Sequence, residues 1–431
     1  MLFKDITIID EKYDVYEGMY VGIKDQVIHY IGNELPEGEY GREYGGRGRL
    51  LMSGFFNAHA HSPMTLLRGY GENMSLQDWL NQRIFPFEAE LTGEAVYYAT
   101  LLAIAESLRF GIVSSTDMYY FCEDMALAVL ESGVKNNMGR AITCFSDQAL
   151  YDLKSFHEAR SFYENYNGAA EGRLLVDMSL HAEYTSTPKV AKELADYTAE
   201  IGARMHIHVS ETKKEHQQCK ERHGGKTPVE YFHELGYFKT GTTLAHCVWL
   251  EERDMDILAD KDVFVASCPI SNLKLASGVC NVPGLMEKGI EVAIGTDSVA
   301  SNNSLNFIEE MKFFSTVHKG RYGDPTLITP KDAIKAATRI GALSQGRKDT
   351  GALKVGMKAD LIVLDLEGPH MMPCHDLLNN LVYSASGSDV VMTMVDGKVL
   401  YEEGCFNSID LERVRFETER CRNRILRDLK K

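Results

Sequence analysis

The chain lacks the features of membrane and secreted proteins. No apolar run in its 431 residues approaches the roughly 18 residues that a membrane-spanning helix needs. The opening residues, MLFKDITIIDEKYD, lack the basic segment and apolar stretch of a signal peptide. Its nine cysteines form no CxxC pair, and an odd, scattered set is typical of reduced thiols. We therefore predict a soluble cytoplasmic protein with no membrane partner.

Positive charge is also scarce. The formal net charge is −16, and no block of lysine and arginine is present of the kind that follows a phosphate backbone. Nucleic acid is therefore not an expected partner. With 44% apolar and 25% charged residues, the composition is that of an ordinary globular protein. The length accommodates one α/β barrel of about 250 residues and a further domain.

Short β-rich segments occupy both ends of the chain. Residues 3–9 and 20–23 are rich in β-branched and aromatic residues, and so are 359–365 and 390–401. The last of these predicts a hairpin with its turn at Asp396-Gly397. A charged helix is predicted over 410–430. We expect the two ends, 1–53 and 354–431, to form one small β-sandwich domain.

Between the ends, apolar runs alternate with helical patterns. The predicted helices cover 93–110, 155–166, 188–202, 227–236 and 304–319. Alternation of strand and helix favours parallel βαβ units, and its repetition over about 300 residues favours a (β/α)8 TIM barrel. We assign the barrel to residues 54–353.

Two His-x-His pairs lie at the ends of apolar runs. His59 and His61 point to the same side of a strand, where two imidazoles can share a metal, although the pair alone fits two unrelated polar residues equally well. His208 ends a second run and could be a third ligand, with Glu211 on the loop that follows. For His206, one layer deeper, we favour a packed, hydrogen-bonded core histidine, and the opposite choice stays open.

Three further polar residues follow apolar runs: His181, His246 and Asp297. A single histidine at a strand end is usually structural, but its place in a series changes that expectation. Asp297 could cap the next helix, yet Asn302-Asn303-Ser304 suits a cap better and leaves Asp297 for a metal or a proton.

The combined series is what a barrel active site requires, because its groups come from the carboxyl ends of several strands. Three histidines and one aspartate leave a position open for water, whose pKa a metal lowers to about 7. A carboxylate and a histidine nearby can then move protons.

These residues resemble the amidohydrolase superfamily, and within it the methylthioadenosine/S-adenosylhomocysteine deaminases, nearly end to end. The wider group also contains guanine deaminases and triazine hydrolases. The stretches that carry the resemblance are 57–69 (NAHAHSPMTLLRG), Asp78-Trp79-Leu80, Pro86-Phe87-Glu88, Ser271-Asn272-Leu273-Lys274-Leu275 and 295–306 (GTDSVASNNSLN).

The resemblance implies a TIM barrel with a terminal β-sandwich, and one divalent metal. The implied ligands are His59, His61, His208 and Asp297. Zinc is the expected metal, and iron or manganese would also suit such ligands. Binuclear relatives carry a carboxylated lysine after the fourth strand, where this chain reads His181-Ala182-Glu183-Tyr184. A homo-oligomer is also implied.

The resemblance further implies hydrolytic deamination of an adenosine-like compound, a small-molecule substrate. Asp297 would accept the proton of water, Glu211 would protonate the ring nitrogen, and His246 would steady the attacking oxygen. The implied substrate contacts are Trp79, Glu88 and His181, with Glu88 accepting hydrogen bonds from ribose hydroxyls. Without the resemblance, Trp79 would be read as a helix core residue and Glu88 as a solvated one.

The chain departs from its relatives at several positions. Glu183 replaces a common proline, and its charge near the site could favour a cation or N–H donors on the substrate. The strand-six motif reads ASCPISN over 266–272, without the histidine that relatives often have. No arginine occurs in 142–148 to hold the carboxylate of S-adenosylhomocysteine. Methylthioadenosine, adenosine and 5′-deoxyadenosine therefore fit better.

Two alternatives stay open. The first keeps the metal site and changes the substrate to another amino- or chloro-substituted heterocycle, such as a purine base, a pterin or a triazine. Glu88 argues against it because a base without ribose has less need of that carboxylate. The second is a non-catalytic scaffold of the same fold, which should show gaps in the ligand set, and this chain shows none.

Overall fold

The computed structural model describes residues 1–431 and contains two sheets of nine strands each. In chain order the strands are β1 (Leu2–Ile9), β2 (Val15–Lys24), β3 (Val27–Gly32), β4 (Glu43–Gly45), β5 (Arg49–Ser53), β6 (Phe55–Ala60), β7 (Ile112–Tyr119), β8 (Lys135–Ile142), β9 (Leu174–Val176), β10 (Met178–Leu180), β11 (Met205–Val209), β12 (Thr242–His246), β13 (Val263–Ser267), β14 (Glu291–Ile294), β15 (Leu361–Asp365), β16 (Val390–Val395), β17 (Lys398–Glu402) and β18 (Cys405–Phe406).

One sheet is the barrel. Its strands pair in parallel in the order β14-β13-β12-β11-β10-β8-β7-β6. The short β9 pairs with the first half of β8, so the fourth barrel strand is interrupted at Asp177. Asp297 closes the circle, because its backbone N–H donates to the carbonyl of His59 on β6 at 2.9 Å. The prediction of a (β/α)8 barrel is confirmed.

Helices alternate with the barrel strands and cover the outside of the barrel. The α-helices of six or more residues are Gly93–Arg109, Cys122–Ser132, Lys154–Tyr166, Pro188–Ile201, Lys213–Arg222, Pro228–Leu235, Glu252–Ala259, Pro269–Lys274, Val282–Glu287, Phe307–Tyr322 and Pro330–Lys335, followed by Leu377–Tyr383 and Leu411–Asp428 after the barrel. No helix is both long and apolar enough to cross a membrane.

Threonine followed by proline fixes several helix starts. The hydroxyls of Thr187 and Thr227 accept the N–H of Val190 and Glu230, and each threonine is followed by a proline at the first helical position. These bonds satisfy N–H groups that the helix itself leaves unpaired. The predicted helices 93–110, 155–166, 188–202 and 227–236 are confirmed to within one residue at each end.

The fifth predicted helix is displaced. It was expected over 304–319 with a cap at Asn302-Asn303-Ser304, but it runs from Phe307 to Tyr322. The expected cap is wrong, because the helix begins after Asn306, and the Asn302 oxygen that would accept a helix N–H accepts the backbone N–H of Ser304 at 3.4 Å. The Asn302 amide nitrogen donates to the carbonyl of Thr296 at 2.8 Å and to the carboxylate of Glu310. Asn302 therefore fixes the loop after β14 and not the helix end.

The second sheet joins both ends of the chain, in the order β18-β17-β16-β15-β5-β1-β2-β3. Strands β15 and β5 pair antiparallel, which links residues 361–365 to 49–53. The predicted hairpin is confirmed. Asp396 (φ +45°) and Gly397 (φ +73°) take the left-handed conformations of a tight turn between β16 and β17. The last helix, Leu411–Asp428, packs on the barrel helix Gly93–Arg109.

Candidate active site

Polar side chains converge at the carboxyl end of the barrel. His59 and His61 come from β6, His208 from β11 and His246 from the end of β12, while Asp297 follows β14. Ligand atoms of His59, His61 and His208 lie within 4.8 Å of one another, and so do those of His59, His246 and Asp297. The structure thus assembles residues that are up to 238 positions apart in sequence, from His59 to Asp297.

His61 and His208 present unprotonated nitrogens to each other. Nδ1 of His61 donates to the carbonyl of Met118 at 2.5 Å, and Nδ1 of His208 donates to the carbonyl of His181 at 2.7 Å. Since a carbonyl only accepts, each neutral ring carries its proton on Nδ1 and keeps a lone pair on Nε2. The two Nε2 atoms are 3.3 Å apart. Two lone pairs at that distance suit a shared cation.

His59 completes a set of donors that fits a metal. Its ring is fully buried, and Nε2 has no hydrogen-bond partner in the protein. Asp297 Oδ1 lies 3.7 Å from that atom and 3.4 Å from Nε2 of His61. Ligand atoms around a tetrahedral zinc with bonds of about 2.1 Å are about 3.4 Å apart. The residues present therefore fit a divalent metal held by His59, His61, His208 and Asp297.

Asp297 is fixed from both sides. Its Oδ1 accepts the backbone N–H of Ser298 at 2.6 Å, and its Oδ2 accepts the hydroxyl of Ser271 at 2.5 Å. The carboxylate has little freedom to rotate. Charge-assisted bonds of this kind are about twice as strong as neutral ones.

Glu211 and His246 lie next to this cluster. Glu211 Oε2 is 3.9 Å from Nε2 of His246, and Oε1 accepts the Ser277 hydroxyl at 3.3 Å. Burial raises the pKa of Glu211, although the nearby His246 opposes the shift. Burial lowers the pKa of His246, but the carboxylates of Glu211 and Asp297 outweigh it and raise that pKa overall. Together the pair can hold and transfer a proton.

Backbone strain is concentrated where three strands deliver these groups. Ser210, His246 and Asp297 have φ values of +50°, +72° and +60°, in the left-handed region that non-glycine residues rarely adopt. Each such residue costs on the order of 1–3 kcal/mol, which surrounding contacts must offset. The bends turn the side chains of Glu211, His246 and Asp297 into the mouth of the barrel.

A cavity opens over the cluster at the carboxyl end of the barrel. It is lined by His61, Met64, Leu76, Trp79, Leu80, Ile84, Phe85, Glu88, Met118, Tyr119, Tyr120, Ala141, His181, Tyr184, His208, Glu211, His246, Leu275, Asp297, Ser298 and Ser301. Trp79, Glu88 and His181, expected from the resemblance to contact substrate, thus share one cavity with residues of the polar cluster: His61, His208, Glu211, His246 and Asp297.

Glu88 and Trp79 bring unused polar groups to the cavity. Burial raises the pKa of Glu88 to about 7, with the Tyr119 hydroxyl acting in the opposite sense. Nε1 of the buried Trp79 has no partner in the protein. A ligand with hydroxyl donors and an acceptor would satisfy both residues.

Glu183 is not among the residues that line the cavity, which corrects its expected role. Its buried carboxylate accepts bonds from Arg222 Nε at 3.0 Å and from His223 Nε2 at 2.7 Å, and Arg222 Nη2 makes a further close contact. Because these partners face the carboxylate, Glu183 presents no uncompensated charge to a substrate. It connects the loop after β10 to the end of the helix Lys213–Arg222.

Three features of the site escaped sequence reasoning. Tyr184 and Tyr120 line the cavity, yet no spacing rule distinguishes them from other loop aromatics. Ser271 and Asn272 contact Asp297 and His246, respectively, and their only sequence signal was membership of a motif. That motif was assigned to strand six, but it follows β13, the seventh strand of the barrel. Arg140 lines a second cavity that shares Tyr120 with the first, two residues before the segment in which arginine was sought. It is paired with Glu158 at 2.9 Å.

Comparison with known proteins agrees with this geometry. The profile described as Amidohydrolase family matches residues 50–400. A 5-methylthioadenosine/S-adenosylhomocysteine deaminase of Caldanaerobacter subterraneus is 39% identical over 99% of both chains. A 5′-deoxyadenosine deaminase of Methanosarcina mazei is 38% identical over 96% of this chain and 95% of its own. Among solved structures, a zinc-bound adenosine deaminase from Xanthomonas campestris superposes with a TM-score of 0.93 at 29% identity, over 98% of both chains.

Proposed function

The chain belongs to the amidohydrolase family, and from that membership we propose that it removes ammonia hydrolytically from the adenine ring of an adenosine-like nucleoside. The relatives named as deaminases make it a hydrolase of C–N bonds. The observation that carries the substrate class is the shared cavity. It places Glu88 together with Glu211, His246 and Asp297.

The metal would be held by His59, His61, His208 and Asp297. Zinc is the first choice, since three imidazoles and a carboxylate suit it and the adenosine deaminase of similar structure is described with bound zinc. When bound, such a metal polarises a water molecule and lowers its pKa to about 7.

Asp297 and His246 are assigned to the water side of the reaction. The fixed carboxylate of Asp297 accepts a proton as the water oxygen bonds to the ring carbon that carries the amine. His246 reaches the same space through Nε2, and it steadies the developing charge on the oxygen. Their fixed positions remove the cost of orienting them during the reaction.

Glu211 is assigned to the ring side. Burial raises the pKa of the Glu211 carboxyl and so favours its protonated form, which can donate to the ring nitrogen beside the attacked carbon. That proton allows the ring to accept electrons as the new C–O bond forms. The amine then leaves as ammonia, and the product carries an oxo group in its place.

Glu88 and Trp79 are assigned to the nucleoside. An ionised Glu88 accepts two hydroxyl donors from ribose, and Trp79 supplies an apolar face and a free N–H donor. We propose methylthioadenosine, adenosine or 5′-deoxyadenosine as the preferred substrates. S-adenosylhomocysteine ranks lower, because the cavity lining contains no arginine or lysine to pair with the carboxylate of its 5′ substituent.

Ammonia release by the zinc-loaded protein tests the proposal. The panel contains 5′-substituted adenosines, adenosine, free purine bases, pterins and triazines. We expect turnover of the nucleosides and a loss of at least about 100-fold in Glu211→Gln, the order of a general acid's contribution. Turnover of a base or triazine with no activity on nucleosides would contradict the substrate assignment. Absence of turnover throughout, with zinc bound, would favour the scaffold alternative.

A further inference from the structure

The helix Pro269–Lys274 begins directly after β13 and carries two consecutive residues that contact the site. We propose that Ser271 and Asn272 are paired positioning residues, with Ser271 fixing the carboxylate of Asp297 and Asn272 fixing the ring of His246. The inference rests on the proposed function for the roles of Asp297 and His246. The two contacts explain how the Asp297 carboxylate and the His246 ring keep fixed orientations relative to each other.

The first contact sets the rotation of the Asp297 carboxylate. Ser271 is fully buried, and its hydroxyl donates to Oδ2 at 2.5 Å. Oδ1 is thereby left to face His59 and His61, at 3.7 and 3.4 Å from their Nε2 atoms. Ser301 Oγ lies 2.8 Å from the Ser271 oxygen and limits its rotation. Without the Ser271 hydroxyl, Oδ2 would lose its donor in a water-poor pocket.

The second contact sets the tautomer of His246. Nδ1 lies 2.9 Å from Oδ1 of Asn272, a buried amide oxygen that can only accept. Nδ1 therefore carries a proton, and Nε2 points toward Glu211 Oε2 at 3.9 Å. A ring free to turn about its side-chain bonds would exchange the two nitrogens, and the atom facing the reaction would change.

The position of the helix explains why one turn can reach both groups. Strand β13 lies between β12, which ends at His246, and β14, which leads to Asp297. The turn is itself anchored, because the N–H of Asn272 donates to the carbonyl of Cys268 at 2.9 Å and the N–H of Ile270 donates to Glu310 at 3.4 Å. One rigid helix turn thus orients two residues that act in the same reaction, Asp297 and His246.

Removing and then restoring each bond tests the pair. Ser271→Ala and Asn272→Leu remove the bonds, whereas Ser271→Thr keeps a hydroxyl and Asn272→Asp keeps an acceptor. Loss of a residue that orients a metal-site group costs about 10–100-fold in activity or metal affinity. We expect kcat to fall by that factor in the first two variants, with KM within about twofold of wild type, and to recover in large part in the second two. Leu273→Ala, on the exposed side of the same helix, is the matched control.

Two readouts do not depend on turnover. Zinc affinity, measured against a chelator, should fall in Ser271→Ala and not in Leu273→Ala. In a ¹⁵N-histidine-labelled protein, the proton on Nδ1 of His246 should be visible in wild type and Asn272→Asp and lost in Asn272→Leu. Asn272→Ala replaces the leucine variant if that protein does not fold.

The outcomes separate this inference from the proposed function. A wild type without activity on nucleosides contradicts the proposed function, and the zinc and NMR readouts still decide the positioning roles. The proposed positioning roles would be overturned if the wild type is active and the Ser271→Ala and Asn272→Leu variants keep full kcat, zinc affinity and the His246 signal. Equal losses in the removing and restoring variants would also overturn it, since size alone would then explain them.

Discussion

Nδ1 of His59 lies 2.9 Å from Nε2 of His206, and both rings are fully buried. If His59 binds a metal through Nε2, it must donate from Nδ1, and His206 must accept through Nε2. His206 then carries its own proton on Nδ1, which has no partner in the protein. The core histidine expected from sequence is therefore hydrogen-bonded, and its partner is a proposed metal ligand.

Replacement of His206 should weaken metal binding. Partners that orient a metal-binding histidine contribute about 10–100-fold to metal affinity. The His206→Leu variant should therefore lose its zinc at a chelator concentration that is lower by about the same factor. His206→Gln should retain part of the affinity, because its amide oxygen can accept from Nδ1 of His59.

His318 offers the matched control. It is a buried histidine on the helix Phe307–Tyr322, away from the metal cluster, and its Nδ1 is also unpartnered. His318→Leu should alter the thermal stability without changing zinc affinity. Equal zinc affinity in His206→Leu and wild type would show that the bond to His59 has no effect on the metal.

Glu88→Gln should selectively lower the kcat/KM for nucleosides. A hydrogen bond to a charged group is worth about 1.5–3 kcal/mol, which corresponds to about 10–100-fold in kcat/KM for a riboside. Since burial raises the Glu88 pKa to about 7, the ionised form that accepts two hydroxyls gains population as pH rises. In wild type, kcat/KM should increase through about pH 7, and in Glu88→Gln that increase should be absent.

Glu90→Gln makes the same chemical change two residues away, outside the cavity lining. Its pH profile should match wild type. A wild-type profile in Glu88→Gln would remove Glu88 from the nucleoside contacts.

Glu183→Gln should lower stability and leave specificity unchanged. The carboxylate faces Arg222 and His223 and does not line the cavity, so its loss weakens a link between two loops. Loss of one net hydrogen bond costs about 0.5–1.5 kcal/mol. The ratio of kcat/KM between methylthioadenosine and adenosine should stay the same while the free energy of unfolding falls.

Arg222→Gln should also lower the free energy of unfolding and leave the substrate ratio unchanged. Lys214→Gln, at an exposed position on the same helix, should match wild type in both quantities. A changed substrate ratio in Glu183→Gln would return this residue to the specificity determinants.

Lys135→Met should destabilise the junction between barrel and terminal sheet. The buried Lys135 ammonium contacts the carboxylates of Asp360 and, at 2.7 Å, Asp396. Removing one partner of a buried ion pair costs about 3–5 kcal/mol, measurable by urea denaturation at pH 7. Exposed Lys354→Met is the control.

The pH dependence of this effect has a definite sign. Burial would raise the Asp360 pKa, but Lys135 and further hydrogen bonds lower it below its ordinary 3.8. The stabilisation is therefore complete above pH 3.8 and is lost as pH falls through the lowered folded-state pKa. The difference in stability between wild type and Lys135→Met should narrow in that acidic range. A constant difference down to pH 2 would exclude this linkage.

Local periodicity sufficed to predict the barrel and the polar residues at its strand ends, whereas the full ligand set and the substrate contacts Trp79 and Glu88 were predicted from the family resemblance. The two-residue spacing on a strand correctly places His59 and His61 on one side, and strand ends in a parallel barrel necessarily meet. Helix starts at Thr187 and Thr227 follow from capping chemistry, which is local. The side of the strand that a residue occupies and the start of a helix depend on residues within four positions in the chain.

The remaining features depend on long-range contacts between side chains. Glu183 finds Arg222 39 positions away, and Ser271 finds Asp297 26 positions away. Charge and spacing along the chain carry no information about such pairs. Asn302 shows the same limit for a helix end. Its local pattern suits a cap, but its amide nitrogen donates to the carbonyl of Thr296 and to the buried Glu310, and these bonds hold the side chain in the loop after β14.

The pairing of β5 with both β1 and β15 has a consequence for synthesis. Chains emerge from the ribosome at about 5–20 residues per second, and domains generally fold as units during that time. Strand β5 has its early neighbour β1 at once, but its partner β15 lies more than 300 residues later. One edge of β5 therefore stays without its partner while the whole barrel is translated. Agents that bind exposed strand edges should act on nascent chains truncated before Leu361 and not on the finished protein.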